Sequence, residues 1–328
     1  MSLKNKELSS IPNENDFQPQ EERTHVPQEQ VLEVRSQLSA LAAEVDDDTV
    51  RRFIRATGGN IPLAVKRLNT TSEWRAQVKP ELMVCKACAK KPGSHYMHVV
   101  GFCKQSRPLV LSCAALAQNR VHDDNKEHLI QCFESAVKCM SPGVEQWVWI
   151  CDFHGFGLSD VMNPGIAKTF LDLSGSHYPE RLGLFLGVDP PSVFSMLWRA
   201  IQSFIDPKTY KKIKFIPYDV VSPQSKLKAE LERWFDAETV AWLLADMAEN
   251  RDKAKIKSKV YNFSAVHKAA SMGQLLSDVP SPMTTAATTA NGFPPSTVHD
   301  SRGTRQLLKR FESCPRILEP QATAVLNT

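Results

Sequence analysis

The chain opens without the apolar run of a secretory signal: MSLKNKELSSIPNENDFQPQEER is polar and charged throughout. Nowhere does it carry the roughly 18 consecutive apolar residues that a membrane span needs. These two absences predict a soluble, cytoplasmic protein whose membrane contact is peripheral. Its eight cysteines are then expected as reduced thiols rather than as a disulfide framework. There is no G-x-S-x-G nucleophile elbow and no P-loop. Gly155-Phe156-Gly157 starts a dinucleotide fingerprint, but Asp160 occupies the third glycine position and forbids the close helix–strand approach. Asp152, His154 and His177 are acid/base types with no nucleophile placed beside them, so neither catalysis nor a catalytic cofactor is expected. Charge is nearly balanced, 40 Lys and Arg against 36 Asp and Glu for a net +4, which gives no footprint for nucleic acid. No internal repeat is evident.

What the sequence does contain is enough apolar material for a large core: 328 residues, 42% of them hydrophobic. Residues 1–25 are polar and are expected to be disordered. Residues 26–90 read as a helical module. Val31, Val34, Leu38 and Leu41 recur at helical spacing, and Asp46-Asp47-Asp48 offers caps for a helix carrying Val50, Phe53 and Ile54. Gly58-Gly59-Asn60 breaks that helix, and Pro62 restarts one that Lys79-Pro80 ends. From residue 91 to 220 the pattern alternates between strands and helices. Strands are predicted over His95–Phe102, Leu109–Ser112, Trp147–Asp152, Leu182–Val188 and Ile213–Ile216. The alternation predicts an α/β fold with right-handed crossovers and a mostly parallel sheet. Leu182–Val188 is apolar without a break, as expected of a strand covered on both faces. Residues 221–270 read as C-terminal helices ending in the basic run Arg251–Lys259. Residues 271–328, rich in Thr, Ala, Ser and Pro, read as a disordered tail.

The most informative stretch joins Tyr178-Pro179-Glu180-Arg181 to the Leu182–Val188 strand, then to a helix over Ser192–Ile205 opened by Pro190-Pro191. Asp206-Pro207-x-Thr209-x-x-Lys212-Ile213 completes it. Together with Arg52-Phe53-Ile54-Arg55-Ala56, Glu73-Trp74-Arg75, Arg107-Pro108 and Asp152-Phe153-His154-Gly155, it resembles the CRAL-TRIO lipid-binding family, in particular its phosphatidylinositol-transfer members. The likeness covers about residues 46–220. It implies a helical module packed on a sheet that encloses an apolar lipid pocket. The implied function is that of a carrier, not an enzyme, exchanging one phospholipid, such as phosphatidylinositol, at a transiently contacted membrane. A lipid-regulated adaptor or scaffold without transfer activity is the first rival reading, and a zinc-dependent protein the second.

The Ser192–Ile205 helix is apolar on nearly every face, with Val193, Phe194, Met196, Leu197, Trp198, Ile201 and Phe204 among its residues. Such a helix either lies in the core or covers something apolar that is not protein. The resemblance implies the second: a gating helix over acyl chains. Glu180 and Lys212 each precede a strand and fall on one edge of a parallel sheet, so they form either a structural ion pair or a headgroup site. The resemblance implies that they contact the inositol phosphate, supported by Arg181, Asp206 and Thr209, with Arg181 nearer to a structural role. Two departures qualify it. Thr57 and Gly58 stand where such members often carry a basic pair, removing one arm of the phosphate grip. Trp147, Trp149 and Val110 replace the hydroxyls expected of a phosphatidylcholine site.

Two further signals remain. Cys85-x-x-Cys88 with His95-x-x-His98 supplies a tetrahedral zinc set by residue type. A strand, however, would point His95 and His98 to opposite faces, so small buried side chains are the expected role and no metal site is assigned. The run Arg251–Lys259 is either a cationic contact for anionic lipid or a solvated face.

Overall fold

The structure is a computed structural model that describes residues 25–259; the predicted N-terminal and C-terminal disordered segments lie outside the described residues. The helical module contains α1 (Gln28–Arg35), α2 (Asp47–Ala56), α3 (Ile61–Val78) and the short α4 (Lys86–Lys90). The Asp46 carboxylate accepts the Thr49 N–H at 2.6 Å and the Asn60 amide oxygen accepts the Leu63 N–H at 3.0 Å, so α2 and α3 both start on side-chain caps. Between them Gly58 and Gly59 adopt positive φ, which folds α3 back along α2. Val31, Val34, Val50, Phe53, Ile54, Ala64 and Leu68 form the module's own core. Its polar ties to the rest of the chain are specific. Arg75 grips Glu134 through Nη1 at 2.8 Å and Nη2 at 3.1 Å, and Arg55 pairs with Glu145 at 2.7 Å.

Five strands form one sheet in the order β1 (Met97–Phe102), β2 (Pro108–Cys113), β3 (Trp147–Asp152), β4 (Leu182–Val188) and β5 (Ile213–Ile216). β1 and β2 are an antiparallel hairpin, and every later pair is parallel. The connections carry α5 (His122–Lys138), then α6 (Leu158–Val161) and α7 (Pro164–His177), then α8 (Phe194–Ile201) and α9 (Pro207–Tyr210). Strand alternation divides the side chains between two covers. Val148, Ile150, Leu184, Leu186 and Val188 meet Leu227, Leu231, Leu243 and Met247 of α10 (Lys226–Trp234) and α11 (Ala237–Arg251). On the opposite face Trp147 meets α5 and α7, while Ile213, Phe185 and Phe215 meet α8. The helices beyond residue 221 therefore form one cover of the sheet.

Gly187 marks where the α8 side is tightest. A Cβ there would lie 2.6 Å from Phe215 Cδ1 and 3.0 Å from Phe153 Cε2, so only glycine lets these rings lie against the strand. Gly187→Ala should destabilise the protein by about 1–3 kcal/mol through overpacking, read as a shift in urea midpoint; an unchanged midpoint would show that the rings yield freely.

Candidate functional site

A cavity of about 570 Å³ opens where the sheet's edge, α7 and the helical module meet. Trp147, Phe170 and Leu182 line its apolar part, and Arg55, Ala56 and Gly58 close it from the module. Glu180, Asp206, Thr209 and Lys212 also line it, which brings together four of the five residues predicted for a headgroup.

The Tyr178–Arg181 turn delivers Glu180. Tyr178 O–H donates to Glu134 Oε1 at 2.7 Å, and His177 stacks on Trp74 at 4.0 Å. Both α5 and the module thus brace the turn. Glu180 itself has φ +59°, a left-handed conformation that costs a non-glycine residue energy and is found where surroundings impose it. Its carboxylate lies 3.4 Å from Lys212 Nζ, the side chains only 19% and 15% exposed. The Asp206 carboxylate caps α9, accepting the Lys208 and Thr209 N–H groups at 3.0 and 2.9 Å, so it shapes the wall beside Thr209.

Arg181 is the exception. It does not line the cavity; its Nη1 donates to Glu145 O at 3.0 Å and lies 3.3 Å from Met140 Sδ. Burial depresses its pKa, and its role is to hold the turn. Sequence reasoning missed Arg67. From α3 its guanidinium reaches Ala56 O at 3.5 Å and Gly175 O, 5.8 Å from the Phe53 ring centroid, on the cavity wall. Burial lowers its pKa and the nearby Asp206 charge opposes that shift. A cation thus stands beside the position where Thr57-Gly58 had argued for none. The signal was the Gly58-Gly59 reversal, which returns α3 alongside that position.

The apolar helix is shorter than predicted, and the open chamber expected beneath it is occupied. Phe194, Leu197 and Trp198 are buried on the sheet, where Phe194 lies 4.6 Å from Phe153 and Trp198 5.0 Å from Phe215, centroid to centroid. Aromatic side chains fill the space because β4, β5 and the turn that follows β3 each place a ring against α8. Trp198 Nε1 is buried there without a hydrogen-bond partner. Val193 and Ile201 are half-buried, whereas Met196 and Phe204 are 45% and 77% exposed. These last two face outward in this conformation instead of toward acyl chains. Phe204 and Ile205 nevertheless stand at the cavity's rim, so the segment that follows α8 forms part of its wall.

The remaining signals resolve differently. Asp152 is fully buried and paired bidentately with Arg251, at 2.9 and 3.0 Å. His177, its pKa pushed down to about 4 by burial and by Arg75, contacts Thr71 Oγ1 through Nδ1 at 3.1 Å. Arg251 is bound to Asp152, and Lys259 to Asp246 at 2.6 Å, so both ends of the basic run serve the fold. Cys85, Cys88 and His95 do converge, but the histidine that joins them is His128; His98 turns its ring edge-on to His128, centroids 5.5 Å apart. Trp149 Nε1 donates to Ser112 Oγ at 2.9 Å, and Val110 is buried. Among the described residues no helix is long and apolar enough to cross a membrane.

Known proteins resemble the chain over this region in sequence. The CRAL/TRIO domain family matches residues 94–238. The chain is 28% identical over 181 residues to CRAL-TRIO domain-containing protein C23B6.04c of Schizosaccharomyces pombe, covering 55% of this chain and 18% of that one. It is 25% identical over 204 residues to the SEC14 cytosolic factor of Candida glabrata, covering 55% of this chain and 67% of the relative. A crystal structure of Sfh5 superposes with TM-score 0.42 at 20% identity, over 59% of this chain and 69% of that one. The chain spans less than half the length of several curated relatives it matches, 18%, 42% and 28%. The family match and the hairpin-plus-parallel sheet fall on the same stretch: residues 94–238 match the CRAL/TRIO domain and carry the sheet described above.

Proposed function

We propose that the protein is a carrier of one phospholipid, with an inositol phosphate headgroup held between Glu180, Lys212 and Arg67, and acyl chains admitted when α8 moves off the sheet. The observation that carries this reading is the Glu180–Lys212 pair, largely shielded from water inside a cavity and held by a strained turn. An ammonium and a guanidinium suit a phosphate, while a carboxylate accepts from inositol hydroxyls. The cavity's 570 Å³ lies within the range of a drug-sized ligand site, about 300–1,000 Å³. Two long acyl chains and a headgroup need more room, which supports a moving lid. Trp198 adds a reason for mobility: its unpaired N–H weakens the closed packing by about 1–3 kcal/mol.

Hydrocarbon energetics favour exchange at a membrane. At ~0.8 kcal/mol per methylene, two chains of about fifteen groups would cost roughly 24 kcal/mol to release into water. Passage into a bilayer is nearly neutral by comparison.

Lys212→Ala should weaken capture of phosphatidylinositol by about 10- to 100-fold, the loss of one charge-assisted contact. Arg67→Ala should act in the same direction. The check is competition between phosphatidylinositol and phosphatidylcholine vesicles, followed by mass spectrometry of protein-bound lipid, with melting temperature controlling for the fold. A lipid profile unchanged in both variants would remove the headgroup assignment.

A further inference from the structure

We propose that Cys85, Cys88, His95 and His128 form a structural Zn²⁺ site that clamps the connector between the helical module and the sheet. The four donor atoms all lie within 4.8 Å of one another. The sulfur–nitrogen separations decide the geometry. Cys85 Sγ is 3.5 Å from His95 Nδ1, Cys88 Sγ is 3.4 Å from the same nitrogen, and Cys88 Sγ is 3.6 Å from His128 Nδ1. With Zn–S near about 2.3 Å and Zn–N near about 2.0–2.1 Å, a regular tetrahedron sets sulfur and nitrogen ~3.5 Å apart. Three edges match before any ion is placed.

Each ligand arrives by an identifiable route. Cys85 precedes α4, and its sulfur accepts the Cys88 N–H at 3.5 Å, so the turn aims both sulfurs to one side. The connector is tied to α5 by Cys85 N–H donating to Gln131 Oε1 at 2.8 Å and by Lys86–Glu127 at 2.7 Å. His95 lies two residues before β1 begins. It is therefore free of the strand alternation that argued against joint ligation. His128 projects from α5, and its ring stacks on His95 with centroids 4.6 Å apart. Outer contacts fix its tautomer: Nε2 lies 2.9 Å from Met97 O and donates to it, which leaves the Nδ1 lone pair facing the sulfurs.

Donor chemistry names the ion. Two thiolates and two imidazoles, with no carboxylate among them, suit zinc and disfavour Mg²⁺ or Ca²⁺. Cys85, His95 and His128 are buried and Cys88 is half-buried. Four protein ligands leave no coordination position for substrate, so the role is structural. The ion would join the connector, the lead-in to β1 and α5 at a point where the chain places small polar groups instead of large apolar ones.

Full-length protein, its purification tag removed, should carry about one zinc per chain by elemental analysis after growth with added ZnCl₂. Replacement by Co²⁺ should give the visible absorption of a tetrahedral cobalt–thiolate centre. Cys88→Ser, at the half-exposed ligand, should lose the metal, and His98→Ala should retain it. Because His128→Ala could misfold for packing reasons alone, the unmutated protein supplies a second readout: chelation should lower Tm by several degrees, and Zn²⁺ should restore it. Zinc-free protein with free thiols, a Cys85–Cys88 disulfide, stoichiometric iron, or zinc that survives Cys88→Ser would each overturn the site.

Discussion

Arg251→Ala should lower the stability of the protein by about 3–5 kcal/mol, the cost of leaving a buried charge without its partner. Asp152 has no exposed surface, and the Arg251 guanidinium meets both its oxygens, at 2.9 and 3.0 Å. The His154 N–H at 3.1 Å, the Asn250 amide at 3.4 Å and the Cys113 thiol at 3.9 Å would remain on that carboxylate. None of the three carries charge. The guanidinium also lies 3.6 Å over the Tyr218 ring, so packing is lost with the ion pair. The pair sits at the C-terminal end of β3 and fastens α11 across the sheet, a position from which local fraying would spread to the core beneath. A urea titration should show a lower midpoint with an unchanged slope. Salt should alter the difference little, since screening acts weakly on a buried pair. In the Asp152→Asn/Arg251→Met double variant, which removes both charges, the loss should be smaller than in Arg251→Ala alone. A single variant within about 0.5 kcal/mol of the parent protein, the range of ordinary surface substitutions, would show that the pair is incidental.

That pair also shows what local pattern could not supply. Arg251 read as the first residue of a basic run, and as such belonged either to a lipid-contacting surface or to a solvated face. Its partner lies 99 residues earlier, and nothing in the spacing of charges around Arg251 points there. Where periodicity acts, the reading was close. The strands Trp147–Asp152 and Leu182–Val188 were legible because each is an apolar run bounded by polar turns, and burial on both faces leaves such runs nearly unbroken; Ile213–Ile216 was legible although Lys214, buried against Glu230 at 2.9 Å, interrupts it. The same logic placed Glu180 and Lys212 together, since parallel strands bring their leading residues to one edge. It failed for the apolar helix. Composition told that Phe194, Leu197 and Trp198 seek an apolar surface, but both a lipid and a ring-lined sheet satisfy that demand. Which one is met depends on Phe153, Phe185 and Phe215, contributed by the turn after β3 and by β4 and β5. His128 stayed invisible for a related reason. Ligand spacing was counted within one segment, and the fourth donor arrives from α5.

The largest functional effect should come from Met196 and Phe204. Both are apolar, both are well exposed, and they lie on and just beyond α8. In the conformation described, neither stabilises the fold, so Met196→Asp/Phe204→Asp should leave Tm within a degree or two. A membrane changes that balance. Burying each side chain is worth about 1.5–3 kcal/mol in full, and a bilayer interface recovers part of it. Losing both would cost roughly 3 kcal/mol of membrane attachment, on the order of a hundredfold in binding. Exchange should fall in step, because a lid that opens only against an apolar phase must first reach one. The check pairs vesicle sedimentation with transfer of a fluorescent phosphatidylinositol between vesicle populations. Both should drop together in the double variant, whereas Lys212→Ala should reduce transfer while leaving sedimentation intact. If the double variant binds and transfers normally, α8 is not the element that meets the membrane. If it transfers poorly but sediments normally, its defect lies at the cavity rim beside Phe204 instead.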